Sequence, residues 1–439
     1  MIGDPEEAKS TGHVTPHPLF GIRAEELKLA TECVSALAVS ELSPVIRLPN
    51  DINRSAGAVR NFAASYRGVN SAPRKRLQGF KEVQRRLARG FPDEFLEFVK
   101  QAEVGVRVIA DAHLEWLDVD GLPLMFRKST SRIPVTPGNL FVQTIASPPT
   151  LHVTPRDLSS ILVLNALDNS DPVRRAFEIS MDVFTPEWGD ALQFTFCEIG
   201  SEDDLAGALE AFTGAIAIFD GHGGHDPNEA AMLYLKGKGV DVWTLKNRIS
   251  RIPPIILLSA CDTHAADRNH ATSGNGFLAL GARSVLASVF PLDARDAAIF
   301  TARLLLRIAK YVPVAPSVLR RPVRWDEVVH GMLKMQLMTD FLRSLERSRQ
   351  IDENTYQRAH YEANNAINGG EGPPQSDPFQ FMVTYLASLG IKPERLNEHL
   401  QMTIANSNTI SYVHPGRPES IAIHDEEINA ALNDLVENR

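Results

Sequence analysis

The chain has 439 residues with 45 Lys and Arg against 54 Asp and Glu, so its formal net charge is −9. Hydrophobic residues make up 44% and charged residues 23%, proportions that supply large cores and exclude a disordered or fibrous chain. The acidic balance gives no global attraction to nucleic acid or to an anionic membrane, and about 150 residues per domain implies two to three domains.

Residues 1–23 read as a flexible tail, without the basic and apolar regions of a signal peptide. Residues 24–103 read as a helical region: AEELKLATECVSALAVSEL, RSAGAVRNFAASYRG and DEFLEFVKQAE carry apolar residues three and four apart. Segment 67–90 holds eight basic residues and one acid, Glu82. With a single aromatic, Phe80, among the charges and no series of rings to stack on bases, the segment reads as a solvated helix face and nucleic acid is not an expected partner. From about 104 the period shortens. VRVIADAH, LEWLDVDG and LPLMFRKS predict short strands, with a turn at Asp120-Gly121.

ILVLNAL (161–167), LQFTFCEI (192–199), AIAIFDG (215–221), PIILLSA (254–260) and SVLASVF (284–290) predict five more strands. Most are continuous apolar runs, as expected of strands buried on both faces. The helices predicted between them, SEDDLAGALEAF and GNGFLALGA, imply crossovers and a mainly parallel α/β sheet. Residues 292–349 return to helix. Residues 350–439 read as a linker, GGEGPPQSDP, and a helical extension that includes PFQFMVTYLASLG and HDEEINAALNDLVEN. The most apolar stretch, 276–292, is interrupted by Arg283 and Pro291, so no membrane segment is expected. Three cysteines in a chain this long, Cys33, Cys197 and Cys261, point to free thiols in a reducing, cytoplasmic compartment.

In parallel sheets ligands meet the carboxyl ends of strands, and two of those ends carry chemistry. AIAIF runs into Asp220-Gly221-His222-Gly223-Gly224-His225, and PIILLSA into Cys261-Asp262-Thr263-His264. A thiol and an imidazole at adjacent strand tips make a nucleophile and its base. Glycines beside His222 let a substrate approach the backbone, and the N–H groups of Gly223 and Cys261 are the expected oxyanion hole. Two other readings of these residues stay open. His222-x-x-His225 with Cys261-x-x-His264 has the spacing of a mixed structural zinc site, and the fold could serve as a non-catalytic scaffold. Cys33 and Cys197, within a helix and a strand, read as inert.

Three stretches resemble the caspase-like cysteine peptidases, and at greater length the CHAT domain, a branch close to the separases. They are LEWLDVDGLPLMFRKSTSRIP (114–134), IAIFDGHGG (216–224) and LLSACDTHAADRNHATSGNGFLALGARSVLASVFPLDARDAA (257–298). The resemblance implies a caspase-like sandwich over residues 104–349, with His222 as catalytic histidine and Cys261 as nucleophile of an endopeptidase needing no cofactor or metal. It also implies a protein substrate and an activating partner or ligand. Asp293 and Asp262 are candidates for an S1 pocket that accepts a basic side chain, although Asp293 is equally placed to cap the helix that follows. Departures from the family pattern are His264 in place of a glycine, Phe290 in place of a tryptophan, and Ala294 in place of an acid.

Overall fold

A computed structural model of the chain describes residues 18–68, 72–146, 150–369 and 377–426. Most of the tail, the central linker residues and nearly all of HDEEINAALNDLVEN lie outside the described residues. The centre is a six-stranded sheet built from β1 (Ser160–Asn165), β2 (Gln193–Glu198), β3 (Ile216–Asp220), β4 (Ile255–Ser259), β5 (Ser284–Ser288) and β6 (Tyr412–Val413), in the order β6-β5-β4-β3-β1-β2. The first five strands run parallel, and β6 joins the edge antiparallel through Ala287↔Val413 and Ser288↔Tyr412. The fold is α/β with helices flanking a mainly parallel sheet, as the alternation of apolar runs and helical segments predicts.

The strands form where β-branched and apolar residues run without interruption. Every residue of β3 and β5 is buried, so both faces must be covered. Helices Pro172–Trp188 and Ala294–Lys310 pack against one another, and the latter also reaches β4. Each opens on an aspartate cap: Asp171 accepts from the Val173 N–H, and Asp293 from those of Arg295 and Asp296. These side chains satisfy orphan N–H groups of the first turn.

The chain order reverses between β1 and β3. From β1 it moves outward to β2, then returns to the other side of β1 and continues through β3, β4 and β5. This switch point, the place where open α/β sheets meet ligands, lies at the carboxyl ends of β1 and β3, where the loop 166–171 and Gly221 emerge.

The N-terminal helices Ala56–Arg67 and Pro73–Arg89 pack on each other, and the latter also packs on Pro393–Asn406 from the C-terminal extension. Phe62 joins them to the α/β half, lying edge-on to Trp116 and Phe290 at 6.0 and 5.4 Å. The extension, predicted as helical, also contributes strands: β6, and Ile421–Ile423, which pairs with Leu151–Val153 and Val323–Arg324. LPLMFRKS differs from its prediction as a strand. Only Leu122–Pro123 pairs, against Asp118–Val119, and Leu124–Arg127 closes into a helical turn. The turn between them is at Asp120-Gly121 as predicted, with φ of 51° and 82°. No helix among the described residues is long and apolar enough to cross a membrane.

Candidate active site

β3 and β4 are paired in parallel with Asp220 opposite Ser259. Two residues further along each strand stand His222 and Cys261, so the register carries the imidazole and the thiol to corresponding positions beyond the sheet. The backbones remain close there. A Cβ at Gly223 would lie 2.3 Å from the Cys261 carbonyl oxygen and 3.4 Å from Ala260 Cβ. Gly223 is therefore required by space, because any side chain would push the histidine strand away from the cysteine.

His222 opens the short strand His222–Gly224, which pairs antiparallel with Met232–Leu235 so that His222 faces Tyr234. Its side chain is about half exposed, and Nε2 lies 2.8 Å from Asp171 Oδ2. Asp171 comes from the loop after β1, so three neighbouring strand ends supply Asp171, His222 and Cys261. Burial would raise the Asp171 carboxyl, but hydrogen bonds from His222 and from the Val173 N–H outweigh it and hold the group below the ordinary aspartate range. Asp171 did not stand out in the sequence. Its only local signal is its place before Pro172, which reads as a helix cap.

Cys261 is partly buried, and the Leu292 peptide grips its sulfur. The Leu292 N–H donates to Sγ at 3.3 Å, and the thiol points to the Leu292 carbonyl at 3.6 Å. Burial pushes the thiol above its ordinary value, only partly offset by the Leu292 hydrogen bond. At rest the group is a protonated thiol, which is the weaker nucleophile.

Beside it, Asp262 has a positive φ of 53° and forms an ion pair with Arg67, Nη1 to Oδ2 2.6 Å. The same guanidinium binds Asp267 through Nη2 at 2.7 Å. Arg67 ends helix Ala56–Arg67, so one side chain of the N-terminal region bridges both acids of the loop after the cysteine. Asp293 is exposed and spends Oδ1 on the cap of helix Ala294–Lys310. Both S1 candidates thus hold internal partners: a guanidinium for Asp262 and helix N–H groups for Asp293.

The four residues with zinc-like spacing diverge. Nε2 of His225 lies 3.1 Å from the Glu229 carbonyl and 3.1 Å from Asn269 Oδ1, and His264 is buried with Nδ1 3.0 Å from Thr272 Oγ1. Burial, followed by the charge of Arg132, holds His264 well below the usual histidine range, as a neutral ring. Among the described residues, no group of three or more His, Cys, Asp and Glu side chains is arranged to hold a metal.

Asp220, beneath His222, is 3% exposed, and burial pushes its carboxyl up to about 7 despite the favourable charge of Arg174. An acid raised in the fold stabilises most fully below its unfolded value, and that contribution is lost as pH rises through about 7. Asp220→Asn is therefore expected to raise the thermal midpoint by several degrees at pH 8 and by much less at pH 5. Equal shifts at the two pH values would rule out this ionisation cost.

No family model and no curated protein matches the chain. Among solved structures it is similar to two crystal structures of the Saccharomyces cerevisiae separase–securin complex, at 3.0 and 2.6 Å resolution. The identities are 15% and 14%, the TM-scores 0.31 and 0.30, and 69% of this chain is covered in both cases. The chain spans 23% of the length of each of those chains.

Proposed function

We propose that the chain is a caspase-like cysteine endopeptidase in which Cys261 attacks the peptide carbonyl and His222 is its base. The observation that supports this reading is the register of β3 and β4, which carries His222 and Cys261 to matching positions with Gly223 packed against the Cys261 carbonyl. In the proposed reaction the proton of Cys261 passes to His222 as sulfur adds to the scissile carbonyl. The N–H groups of Gly223 and Cys261 hold the oxyanion. His222 then protonates the leaving amine, and water, deprotonated by His222, releases the acyl group from sulfur. No metal or cofactor enters these steps. The resemblance of the cysteine and histidine motifs to the CHAT domain supports the same assignment, with a protein substrate, and the free cysteines support a reducing, cytoplasmic setting.

The raised thiol, held by the Leu292 peptide, favours slow turnover by the isolated chain, which a partner or ligand that loosens this grip would raise. The experiment is labelling with a peptidyl acyloxymethyl ketone, together with cleavage of a mixed peptide library, by wild type, Cys261→Ala and Cys197→Ala. Wild type and Cys197→Ala are expected to label and to cleave, Cys261→Ala to do neither, and EDTA to leave turnover unchanged. Cleavage by Cys261→Ala would overturn the assignment. So would a wild-type Cys261 that alkylates freely yet hydrolyses no peptide, which would leave the scaffold reading.

A further inference from the structure

We infer that Asp171 is the positioning residue of His222, completing a Cys261–His222–Asp171 relay across the carboxyl ends of β4, β3 and β1. The inference rests on the proposed peptidase reading. Its basis is a division of labour between the two oxygens of one carboxylate. Oδ1 accepts from the Val173 N–H at 2.9 Å and caps helix Pro172–Trp188, while Oδ2 lies 2.8 Å from His222 Nε2. A capping role accounts for the first bond and leaves the second unexplained. The cap also fixes the side chain, because a carboxylate pinned at one oxygen presents the other in a single direction.

The chemistry follows from the tautomer. Ionised Asp171 is acceptor-only, so Nε2 must carry the ring proton that it binds. Nδ1 then keeps its lone pair, and among the described residues it makes no hydrogen bond. That is the nitrogen left to take the thiol proton. When it does, the ring becomes a cation beside a carboxylate already in place, and the developing charge is stabilised without rearrangement. An exposed hydrogen bond of this kind adds little to folding stability; its value lies in the orientation and tautomer of the ring.

Fold topology makes the arrangement specific to the switch point. Asn165 of β1 and Ser259 of β4 both stand opposite Asp220 of β3, so the loops that follow start level with one another. The loop after β1 has six residues, 166–171, before the helix begins at Pro172. It returns its last residue to the end of β3 as the chain turns down into the helix. Other groups surround the pair. Asp220 lies beneath and senses Arg174, Glu178 and Asp171, and Tyr234 faces His222 across the short sheet.

Asp171→Asn is the decisive variant, since the asparagine carbonyl retains the cap while the group facing His222 Nε2 changes from a carboxylate acceptor to an N–H donor. The 15N NMR signals of the neutral His222 ring, assigned against a His222→Gln spectrum, are expected to show the proton on Nε2 in wild type and on Nδ1 in Asp171→Asn. Peptide hydrolysis is expected to fall 10- to 100-fold in kcat with KM unchanged. Asp171→Glu, with a longer carboxylate, should restore the tautomer more fully than the rate. An unchanged His222 tautomer in Asp171→Asn overturns the inference whatever the activity. A changed tautomer in a protein that hydrolyses no peptide leaves the Asp171–His222 pair standing and overturns the peptidase reading instead.

Discussion

His222→Asn is expected to lower kcat for peptide hydrolysis about a thousandfold, within the range general acid–base catalysis supplies, with little change in KM. The reason lies in the resting state of the thiol. Burial holds Cys261 protonated, so no reservoir of thiolate exists near neutral pH, and an acceptor is needed during the attack itself. Iodoacetamide alkylation of Cys261, followed against pH, isolates this step from substrate binding. Loss of the imidazole should slow alkylation near neutral pH, where the proton of the thiol then has no acceptor beside it. Because the His222 side chain is 49% exposed, its replacement should change folding stability by less than about 0.5 kcal/mol. A thermal melt superposable on wild type therefore certifies that the lost rate is chemical. A variant retaining a third or more of wild-type kcat removes His222 from the mechanism.

What the sequence makes legible here follows from continuity along the chain. β3 and β4 are unbroken apolar runs ending in polar residues, so both strands, and the places of His222 and Cys261 just beyond their ends, show in a linear reading. Asp293 shows as a cap for the same reason: the N–H groups it binds lie within three residues. Partners set by tertiary packing do not show. Arg67 binds Asp262 across 195 positions, and nothing in the local sequence separates it from the other basic residues of segment 67–90. Asp171 meets His222 across 51 positions because of strand order, which periodicity does not encode. β6 is two residues long, too short for alternation to register, and its pairing is decided by β5. The error at LPLMFRKS has a related cause, since a short apolar run fits a helical turn as well as a strand.

These long-range contacts converge on the surroundings of Cys261. His113 stacks on Trp116 at 4.8 Å, Trp116 on Phe290 at 5.5 Å, and Phe290 on Tyr66 at 4.7 Å. Arg76 covers the outer face of the column as a cation over Tyr66. Phe290 lies two residues before Leu292, whose peptide grips the Cys261 sulfur, and Tyr66 is adjacent to Arg67, which binds the acid after Cys261. The N-terminal helix thus touches both neighbours of the thiol, through rings on one side and charge on the other. Under the proposed reading, a partner that displaces this helix would act on the Leu292 peptide and on Asp262 together, a route from the helical flank to the thiol.

The largest stability effect is expected at the inner end of that column, for Arg132→Met. Arg132 is 3% exposed. Its Nε bonds Glu115 Oε1 at 3.1 Å and Nη2 bonds Oε2, while Nη1 and Nη2 reach the carbonyls of Ala110, Asp111 and Ala112. Methionine fills most of the volume but leaves the buried Glu115 carboxylate and three carbonyls without their donor, a loss of about 3–5 kcal/mol by analogy with other broken buried pairs. The pH dependence distinguishes charge from packing. Burial alone would raise Glu115, and Arg132 followed by His113 more than reverses this, holding it far below the ordinary glutamate range. For an acid depressed in the fold, the stabilisation is present above its unfolded value, about 4.3, and is lost as pH falls through the folded one. The deficit of Arg132→Met in urea unfolding should therefore be largest at pH 7 and shrink by pH 4, where a Glu115 deprived of its partner takes up a proton at little cost. The double variant Glu115→Met/Arg132→Met, which leaves no orphaned charge, should recover part of the loss at pH 7. A single variant within about 1 kcal/mol of wild type at pH 7 would mean that the aromatic column holds segment 110–116 without the ion pair.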